Sequence, residues 1–592
     1  MRIFVRSDQD LHDKAAEYGF TGSGTKDDPY VLEGKSFKEE DLIWIHETTS
    51  HIHIRDCTFV TGTPYNIQLK LYKCNNIIIQ RCKFVTGKIQ EGYDLACEMV
   101  ECKNCAIVEC EFKGNPSAVR LELCQDVTVS ENKFLDNTYG LRIVDCSLVD
   151  VARNLFTSGI HAIQIAWSTT SNVFSTKLRI LDNTIQAMYD DGIVLRGVWD
   201  LTVDGNYIYS DKNGIFATSA RRLSIHHNQI ESREHGVRIE SGGDLDISDN
   251  RLIAYGGSAI GLSKVSNFNV RNNLCVSEKG RAVGKLGGDG IYLENSQDGT
   301  IDGNKYAGEG TRLFWEGIRM VNSTRIKALN NDVRALWSGI YIHSCKSEDS
   351  PCVLSQNKCT TTKAGGPYSI NGSSGIAVSD SVGVEIIKNE CNECDKGIEI
   401  SGSQKITAAD NVCVQNDMVG IYLKSSNHCV LENNECALNG STVLFSEAPR
   451  SAESSCTGIS VLFSGNITIR KNKCYNNADH GILLYSCKQC TIEGNSCSKN
   501  GTSGIALAST NDSKLIKNYC KDNGLVGIHL SSSCNGAVVR NNVCTGHGKF
   551  GIEALGVNIS ILYNKCTDNQ YKGIRVADDP ERHGITLYKN RE

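Results

Sequence analysis

Hydrophobic and polar residues alternate along this chain in short runs that recur every 22 to 24 residues. Each period holds three such runs, for example around Ile208, Ile215 and Leu223. Strict alternation places successive side chains on opposite faces of a strand. No interval between the runs is long enough for a crossover helix. The pattern therefore predicts an all-β fold, a single-stranded right-handed parallel β-helix of about 22 or more coils.

An asparagine two residues before an apolar position marks most coils. Asparagine suits a tight corner because it tolerates left-handed backbone, and stacked amides hydrogen-bond along the axis. We expect a structural asparagine ladder. Cys57, Cys82 and Cys110 take the same position in three earlier coils. The asparagines are Asn132, Asn154, Asn183, Asn206, Asn228, Asn250, Asn273, Asn304, Asn331, Asn357, Asn389, Asn411, Asn434, Asn472, Asn495, Asn518, Asn542, Asn564 and Asn590.

Cysteine fills the apolar position after the asparagine in many later coils. The total of 27 cysteines is odd, and their interior register predicts buried, reduced thiols that stack in the core. Three CxxC pairs lie alone in strand-like alternation, so we expect no zinc site, and likewise no other metal ion and no cofactor. The ladder cysteines are Cys275, Cys359, Cys391, Cys413, Cys436, Cys474, Cys497, Cys520, Cys544 and Cys566, and the CxxC pairs are Cys102/Cys105, Cys391/Cys394 and Cys487/Cys490.

The two ends differ from the repeat. Residues 8–18 read as an amphipathic helix with Ser7 as its N-cap, which we expect to cover the first coil. Residues 1–34 are then an N-terminal cap with the first strand, and residues 35–592 are the parallel β-helix. The repeat continues to Asn590 without a capping segment, which predicts an open edge available for self-association.

The net charge and the hydropathy of the chain limit the kinds of binding partner to expect. A net charge of −6 is mild for 592 residues and gives no reason to expect nucleic acid. No apolar run approaches the ~20 residues of a membrane span. The N-terminal residues are charged throughout, without the apolar segment of a signal peptide. We predict a cytoplasmic protein, with an exported chain lacking its signal peptide as the alternative.

The segment Gly22–Gly34, GSGTKDDPYVLEG, resembles the opening of NosD-like parallel β-helix proteins. The repeats after it resemble the broader class of carbohydrate-binding and sugar-hydrolase (CASH) β-helix domains. This resemblance implies a carbohydrate partner but no particular reaction, because the class includes glycosidases, lyases, epimerases and binding scaffolds. Asp190-Asp191-Gly192 and His235-Gly236 match two polygalacturonase elements, but the other two elements and the Asp-Pro-His motif of alginate epimerases are missing. No catalytic residue is carried over.

Insertions point to a candidate groove. Four lie between the asparagine and a Gly-Ile-x-Leu motif, over residues 273–290, 304–317, 357–375 and 434–458. Two more follow that motif, near 166–178 and 343–352. Solenoid insertions become loops beside the binding face. We therefore predict a groove on the Gly-Ile-x-Leu strands over about residues 160–375.

Polar and aromatic residues at or beside the outward positions of these strands form the predicted site. We expect Asp289, Glu316 and His235 to be catalytic. Asp289 and Glu316 lie one coil apart, about 5 Å at Cα, and Glu240 and Glu294 two coils apart, about 10 Å. Retaining and inverting glycosidases need about 5–5.5 Å and 6.5–9.5 Å between carboxyls, so both pairs are feasible. The predicted substrate-binding residues are Asp191, Arg196, Arg238, Glu240, Tyr292, Glu294, Arg319, Tyr341 and His343.

The residues leave several functions open. The first is a carbohydrate-active enzyme on a polysaccharide or glycan, either a glycoside hydrolase, a lyase or an epimerase. In a lyase or epimerase, His235 or Tyr292 would be the base, and Arg238 or Arg319 would neutralise a uronate carboxylate. The alternatives are a non-catalytic carbohydrate-binding module and a structural or interaction scaffold.

Overall fold

The protein is a right-handed parallel β-helix. The computed structural model describes residues 2–38, 41–61, 67–86, 95–167, 174–277, 288–308, 314–361, 372–440 and 456–592. Over these ranges the strands pair in parallel and form about 22 turns, as predicted. The chain divides into two compact units, Met1–Gly288 and Asp289–Glu592, called here the first and second unit.

Three parallel sheets run through each unit. The first sheet carries the Gly-Ile-x-Leu motif, the second sheet precedes the ladder asparagine, and the third sheet follows it. In the first unit, the first sheet contains Arg2–Val5, Leu42–His46, Ile67–Tyr72, Leu95–Val100, Ser117–Glu122 and Ile193–Arg196. The second sheet contains Tyr30–Glu33, Ile52–Arg55, Ile77–Gln80, Lys103–Val108, Gln125–Ser130, Ser147–Ala152, Ser175–Leu181 and Val198–Asp204. The third sheet contains Ser36–Lys38, Thr58–Thr61, Lys83–Thr86, Glu111–Lys113, Thr184–Ala187, Tyr207–Ser210, Gln229–Ser232, Arg251–Ala254 and Leu274–Ser277.

Longer strands of the first unit turn a corner and belong to two sheets. Lys133–Val144 and Leu155–Ala166 run from the third sheet into the first. Ile215–His226, Val237–Ser248 and Ile260–Arg271 run from the first sheet into the second.

The second unit repeats this arrangement with shorter strands. Its first sheet contains Ile291–Glu294, Glu316–Val321, Ser338–His343, Ser374–Ser379, Lys396–Ser401, Val419–Lys424, Ile459–Leu462, Ile482–Tyr485, Ser503–Ala508, Val526–Leu530, Phe550–Ala554 and Lys572–Val576. The second sheet contains Gln297–Asp302, Thr324–Leu329, Cys352–Ser355, Val382–Ile387, Gln404–Ala409, Val430–Glu432, Thr468–Arg470, Thr491–Glu493, Lys514–Ile516, Val538–Arg540, Ser560–Leu562 and Thr586–Tyr588. The third sheet contains Lys305–Gly308, Asp332–Ala335, Lys358–Thr361, Glu390–Cys391, Val412–Val414, Glu435–Ala437, Lys473–Tyr475, Ser496–Ser498, Tyr519–Lys521, Val543–Thr545 and Lys565–Thr567.

The asparagine ladder is present in both units. Each amide links three coils, as at Asn206, whose Nδ2 donates to Ile180 O at 2.9 Å and to Asn228 Oδ1 at 3.0 Å. Of the two expected reasons for asparagine, hydrogen bonding along the axis is confirmed and the left-handed backbone is wrong. The left-handed residue of each corner is the one before it, for example Asp182 at φ 52° and His227 at φ 49°. Asparagine is required for its side-chain amide, not for its backbone.

All 27 cysteines are buried and none is in a disulfide. The ladder cysteines of the second unit stack in register on the third sheet, as in the steps from Cys474 to Cys497 and from Cys497 to Cys520. This arrangement matches the prediction of reduced thiols in the core, because a buried thiol packs as a small apolar group.

The N-terminal helix, Asp8–Tyr18, lies where it was predicted. The Ser7 side chain accepts from Asp10 N at 3.2 Å, and Leu11 is buried. The strand Arg2–Val5 before the helix was not predicted, and it pairs with Leu42–His46. Among the described residues, no helix is long and apolar enough to cross a membrane.

Candidate functional site

Asp289 and Glu316 occupy one corner of two neighbouring coils in the second unit, each directly before a motif glycine. Gly290 N donates to Glu316 O at 2.9 Å, and Ile291 pairs with Ile318. The exposed fraction of each acidic residue is only 7%. The prediction that they are exposed to solvent is therefore wrong, but Glu316 still approaches Arg319, which holds the outward position of the same strand.

The two carboxyl groups hydrogen-bond to each other. Burial and the neighbouring Asp289 carboxylate raise the pKa of Glu316 to about 8. Burial also raises the pKa of Asp289, opposed by the hydrogen bond from Glu316. At neutral pH the pair therefore holds one proton on Glu316, which donates to Asp289, because two like charges this close cannot both form easily.

Arg319 lies beside this pair, between two tyrosines of the first sheet. It pairs in register with Tyr292 on one side and Tyr341 on the other. Its guanidinium carbon is 5.8 Å and 5.7 Å from their ring centroids, within the range of a cation–π contact. Its NH1 is 4.0 Å from Glu316 Oε2.

Three buried polar atoms around this pair lack a hydrogen-bond partner among the described residues. They are Asp289 Oδ1, Glu316 Oε2 and Arg319 Nε. Such atoms are rare in folded proteins and mark places that a ligand or water completes. Two tryptophans lie next to Glu316: the rings of Trp315 and Trp337 stack with centroids 5.5 Å apart, and Trp337 is 59% exposed.

The other predicted residues of the second unit belong to the same sheet. Burial is the main reason that the Tyr292 pKa is raised, and the nearby Glu294 carboxylate raises it further. Tyr341 OH and His343 Nδ1 both contact Ser379 Oγ, at 3.1 Å and 2.9 Å. The structure therefore brings the predicted residues of the second unit onto one strip of the first sheet.

His235 belongs to the first unit and does not suit the predicted role of base. Its Nδ1 accepts from Ser258 N at 2.9 Å, so that lone pair is already used. Burial, together with Arg238, lowers its pKa to about 4. Like Glu316, His235 lies two residues before an inward-facing residue, Val237. Its place in the structure is that of a neutral corner residue.

The remaining predicted residues also lie in the first unit. Asp191 is buried, contrary to expectation, and its Oδ1 accepts from Asn213 N at 3.0 Å and Nδ2 at 2.7 Å. Arg238 and Glu240 form an ion pair on one strand. Arg196 is exposed at the end of strand Ile193–Arg196. The predicted groove over 160–375 therefore draws its residues from two units.

The insertions that suggested this groove fall largely outside the described residues. This applies to parts of 166–178, 273–290, 304–317, 357–375 and 434–458. The insertion at 343–352 is described, and it contains Ser347, whose hydroxyl donates to Ser350 O at 2.6 Å.

One polar row was missed by the sequence analysis. His529 Nδ1 and Arg575 NH1 each contact a carboxylate oxygen of Glu553 at 2.8 Å. The three residues hold the outward position of successive Gly-Ile motifs, so the same rule applied beyond residue 400 would have found them.

Several solved structures are similar to this chain. The A-module of a mannuronan C-5 epimerase from Azotobacter vinelandii has TM-score 0.34 and 11% identity, over 60% of this chain and 96% of its own. PfbA, a surface adhesin of Streptococcus pneumoniae, has TM-score 0.31 and 12% identity, over 69% and 91%. DFA-IIIase from Arthrobacter chlorophenolicus without its lid has TM-score 0.32 and 10% identity, over 55% and 90%. Likenesses this low say nothing about what this chain binds.

Family models match almost the whole sequence. No curated protein matches it. Residues 316–457 and 457–591 match the family described as "Right handed beta helix region". Residues 5–185, 74–254 and 174–309 match the family described as "Periplasmic copper-binding protein (NosD)". The second family covers 5–309, more than half of the 592 residues, so the chain belongs to the NosD family of right-handed β-helix proteins.

Proposed function

We propose that this protein acts on an acidic polysaccharide along the first sheet of the second unit, with Asp289 and Glu316 as its acid–base pair. The observation that carries the proposal is the buried carboxyl pair that shares one proton beside an arginine. A carboxyl group that stays protonated near neutral pH costs stability and is typical of catalytic sites.

The spacing of this pair favours proton transfer over glycoside hydrolysis. Glycosidases keep their carboxyls about 5–5.5 Å or 6.5–9.5 Å apart, to admit the sugar or a water between them. Here the carboxyls are in direct hydrogen-bond contact. Two groups so close serve one side of a sugar ring, as a syn-eliminating lyase needs, whereas an epimerase must return the proton from the opposite side.

In the lyase form the proton count balances. The Asp289 carboxylate takes the proton from the carbon beside the uronate carboxyl, and protonated Glu316 gives its proton to the leaving glycosidic oxygen. The C–O bond breaks as the C=C bond forms. The pair begins and ends with one proton, which Asp289 returns to Glu316 through their hydrogen bond.

Arg319 and the aromatic residues supply recognition in this proposal. The Arg319 guanidinium would neutralise the uronate carboxylate, which makes the neighbouring proton more acidic. Arg319 is held in place between Tyr292 and Tyr341. The exposed Trp337 ring offers an apolar face on which a sugar ring can stack.

Non-catalytic carbohydrate binding is the second candidate function. The exposed Trp337 ring, stacked on Trp315, favours it, because binding through these rings requires no proton transfer. A protein of this kind would bind the polysaccharide through the tryptophans and Arg319 and leave it unchanged.

The family description also implies copper, and the part of the chain that the structure describes offers one set of side chains that fits it. His161, Asp190 and Asp191 provide the nitrogen and oxygen donors that Cu(II) accepts. The cysteines do not fit, because they are buried in the core and burial raises thiol pKa values, to about 12 at Cys275. A bound copper ion would supply Lewis acidity or one-electron chemistry.

The compartment stays a prediction. The periplasmic description of the family favours the exported alternative. The 27 unpaired cysteines favour a reducing compartment such as the cytoplasm. Cell fractionation with antibody detection distinguishes the two.

The test measures elimination on a panel of uronate and neutral polysaccharides, by ultraviolet absorbance of the unsaturated product and by NMR for epimers. Glu316→Gln and Asp289→Asn keep the size of each side chain and should each reduce turnover by about 100-fold or more. Wild-type activity should fall above about pH 8, as Glu316 loses its proton.

Asp298→Asn is the matched control. Asp298 is an exposed carboxylate of the second sheet, paired with Arg325 at 2.6 Å, and its loss should leave turnover unchanged. Full activity in both carboxyl variants would contradict the proposal. Binding that needs Trp337, without any turnover in the wild type, would establish the second candidate instead.

A further inference from the structure

Three metal-ligating side chains meet on the first sheet of the first unit. His161 lies on strand Leu155–Ala166, and Asp190 and Asp191 come just before strand Ile193–Arg196 of the next coil. Because Ile163 pairs with Ile193, His161 and Asp191 lie at the same level of neighbouring coils. A ring nitrogen of His161 and one oxygen from each carboxylate lie within 4.8 Å of one another, a grouping unique among the described residues.

One ring nitrogen of His161 lacks a partner, although the side chain as a whole is only partly buried. His161 Nδ1 is buried and has no hydrogen-bond partner in the described ranges. An imidazole nitrogen that is shielded from water and left without a partner destabilises a fold. This cost is removed if an ion binds there.

We infer that His161, Asp190 and Asp191 form a binding site for a divalent transition-metal ion. The site is separate from the carboxyl pair of the second unit and does not rest on the proposed function. Ligands held about 2.1 Å from one ion lie roughly 3–4 Å apart, so side-chain rotations close the remaining gap.

The donor set selects the class of ion. Imidazole suits zinc, copper, iron and nickel, whereas carboxylates also suit manganese and magnesium. A mixed set of one nitrogen and two oxygens therefore fits Zn(II), Co(II) or Cu(II) and gives no thiolate for Cu(I). The set carries two negative charges, which suits a divalent cation.

Neighbouring residues hold one of the proposed ligands, Asp191, in place and compete with a metal ion for another, Asp190. Asp191 Oδ1 already accepts two hydrogen bonds from Asn213, which hold its carboxylate in place. Lys212 Nζ lies 2.9 Å from Asp190 Oδ1 and neutralises it without an ion. Binding of a metal must displace this ammonium, so removing Lys212 should tighten binding.

The experiment titrates chelator-treated full-length protein with Co(II), followed by absorbance, and with Zn(II), followed by calorimetry. We expect one ion per chain, and a Co(II) spectrum without thiolate charge-transfer bands. His161→Ala should weaken binding by about 100-fold or more, since it removes a ligand. Asp191→Asn should do the same while it keeps an oxygen for Asn213. Lys212→Met should strengthen binding.

His227→Ala is the matched control, because His227 and Asp204 form an exposed histidine–aspartate pair at 2.9 Å without a third ligand. It should leave affinity and stoichiometry unchanged. Circular dichroism checks the fold of every variant. Absence of binding, thiolate bands in the Co(II) spectrum, or full affinity in folded His161→Ala and Asp191→Asn would each overturn the inference.

Discussion

The same core position is filled by different residues in the two units. In the first unit, phenylalanine rings stack two residues after the corner, with centroids 4.4 to 5.0 Å apart and planes within 8°. In the second unit, cysteines stack there in register. The phenylalanines are Phe37, Phe59, Phe84, Phe112, Phe134 and Phe156.

A second position packs against the first. Opposite the cysteines the chain has glycine, and a Cβ at Gly504 would lie 2.9 Å from Cys520 Sγ and 2.7 Å from Gly527 O. In the phenylalanine coils this position is a buried alanine, as at Ala96 and Ala118, or a glycine, as at Gly140, where a Cβ would lie 2.8 Å from the Phe156 ring. The comparison teaches that the residue at one core position depends on the residue packed against it. The two positions of such a pair must therefore be interpreted together.

The largest difference should appear when each ladder is interrupted. Phe112→Ala removes a fully buried ring between Phe84 and Phe134 and should cost about 3–5 kcal/mol in the free energy of unfolding. Cys497→Ala removes one sulfur and should cost about 1 kcal/mol. Denaturant unfolding, with hydrogen exchange read by mass spectrometry to localise the change, checks both. Equal costs would show that the two ladders contribute alike.

Much of the fold could be predicted because its pattern is local in sequence. The alternation around Ile215 and Leu223 and the repeated asparagines set the sheets and the ladder within one period. The strand Arg2–Val5 could not be predicted, since its pairing with Leu42–His46 is remote in sequence and its own run is short. Residues such as His227, which adopt the left-handed corner, share no residue type that would mark them.

The sequence predicted which residues form the candidate site but not that they are buried. Asp289, Glu316 and Arg319 were found from their position in the repeat. Their burial depends on the side chains that pack around the residue before the motif glycine, and the repeat pattern does not specify those contacts. The shared proton follows from that burial, so it could not be predicted from spacing alone.

The asparagine ladder should matter equally in both units, because its hydrogen bonds are the same. Asn206 accepts from Asn183 N at 2.9 Å, and Asn518 accepts from Asn495 N at 3.0 Å. Asn206→Ala and Asn518→Ala each leave a buried N–H unpaired and should each cost about 2–3 kcal/mol. Denaturant melts of the two variants test this. A large difference would mean that the packing around the ladder, rather than the ladder itself, sets its contribution.

Substitutions at the closely packed glycine position should change the free energy of unfolding by less than loss of the asparagine ladder does. The change should also differ between the two units. Gly504→Ala places a methyl against the Gly527 carbonyl and should cost about 1–3 kcal/mol. Ala118→Gly in the first unit creates no clash and should cost about 1 kcal/mol through chain entropy. Thermal unfolding compares them. Adding Cys520→Ala to Gly504→Ala should recover part of the loss, and no recovery would refute the pairing of these positions.

The smallest expected effect is a pH dependence of a second amide ladder, which is expected in the second unit and not at the equivalent link of the first. In the second unit this ladder runs through Asn500 and Asn523 to His547, whose Nδ1 accepts from Asn523 N at 3.1 Å. In the first unit the equivalent link, from Asn115 to Asn137, uses only amides. Burial lowers the His547 pKa below its usual 6.5, so the unfolded chain binds more protons as the pH falls.

His547 therefore contributes stability that is complete above about pH 6.5 and is lost as the pH falls below it. His547→Asn restores the amide of the ladder and should remove the loss of stability at low pH. The substitution also removes the buried Nε2 of His547, which has no hydrogen-bond partner among the described residues. Unfolding free energies of wild type and variant between pH 5 and 7.5 give the difference due to this residue alone. Hydrogen exchange should place the acid effect on the coils around residues 523–569 and leave those around 115–137 unchanged. A constant difference across this pH range would show that the imidazole is not the titrating group.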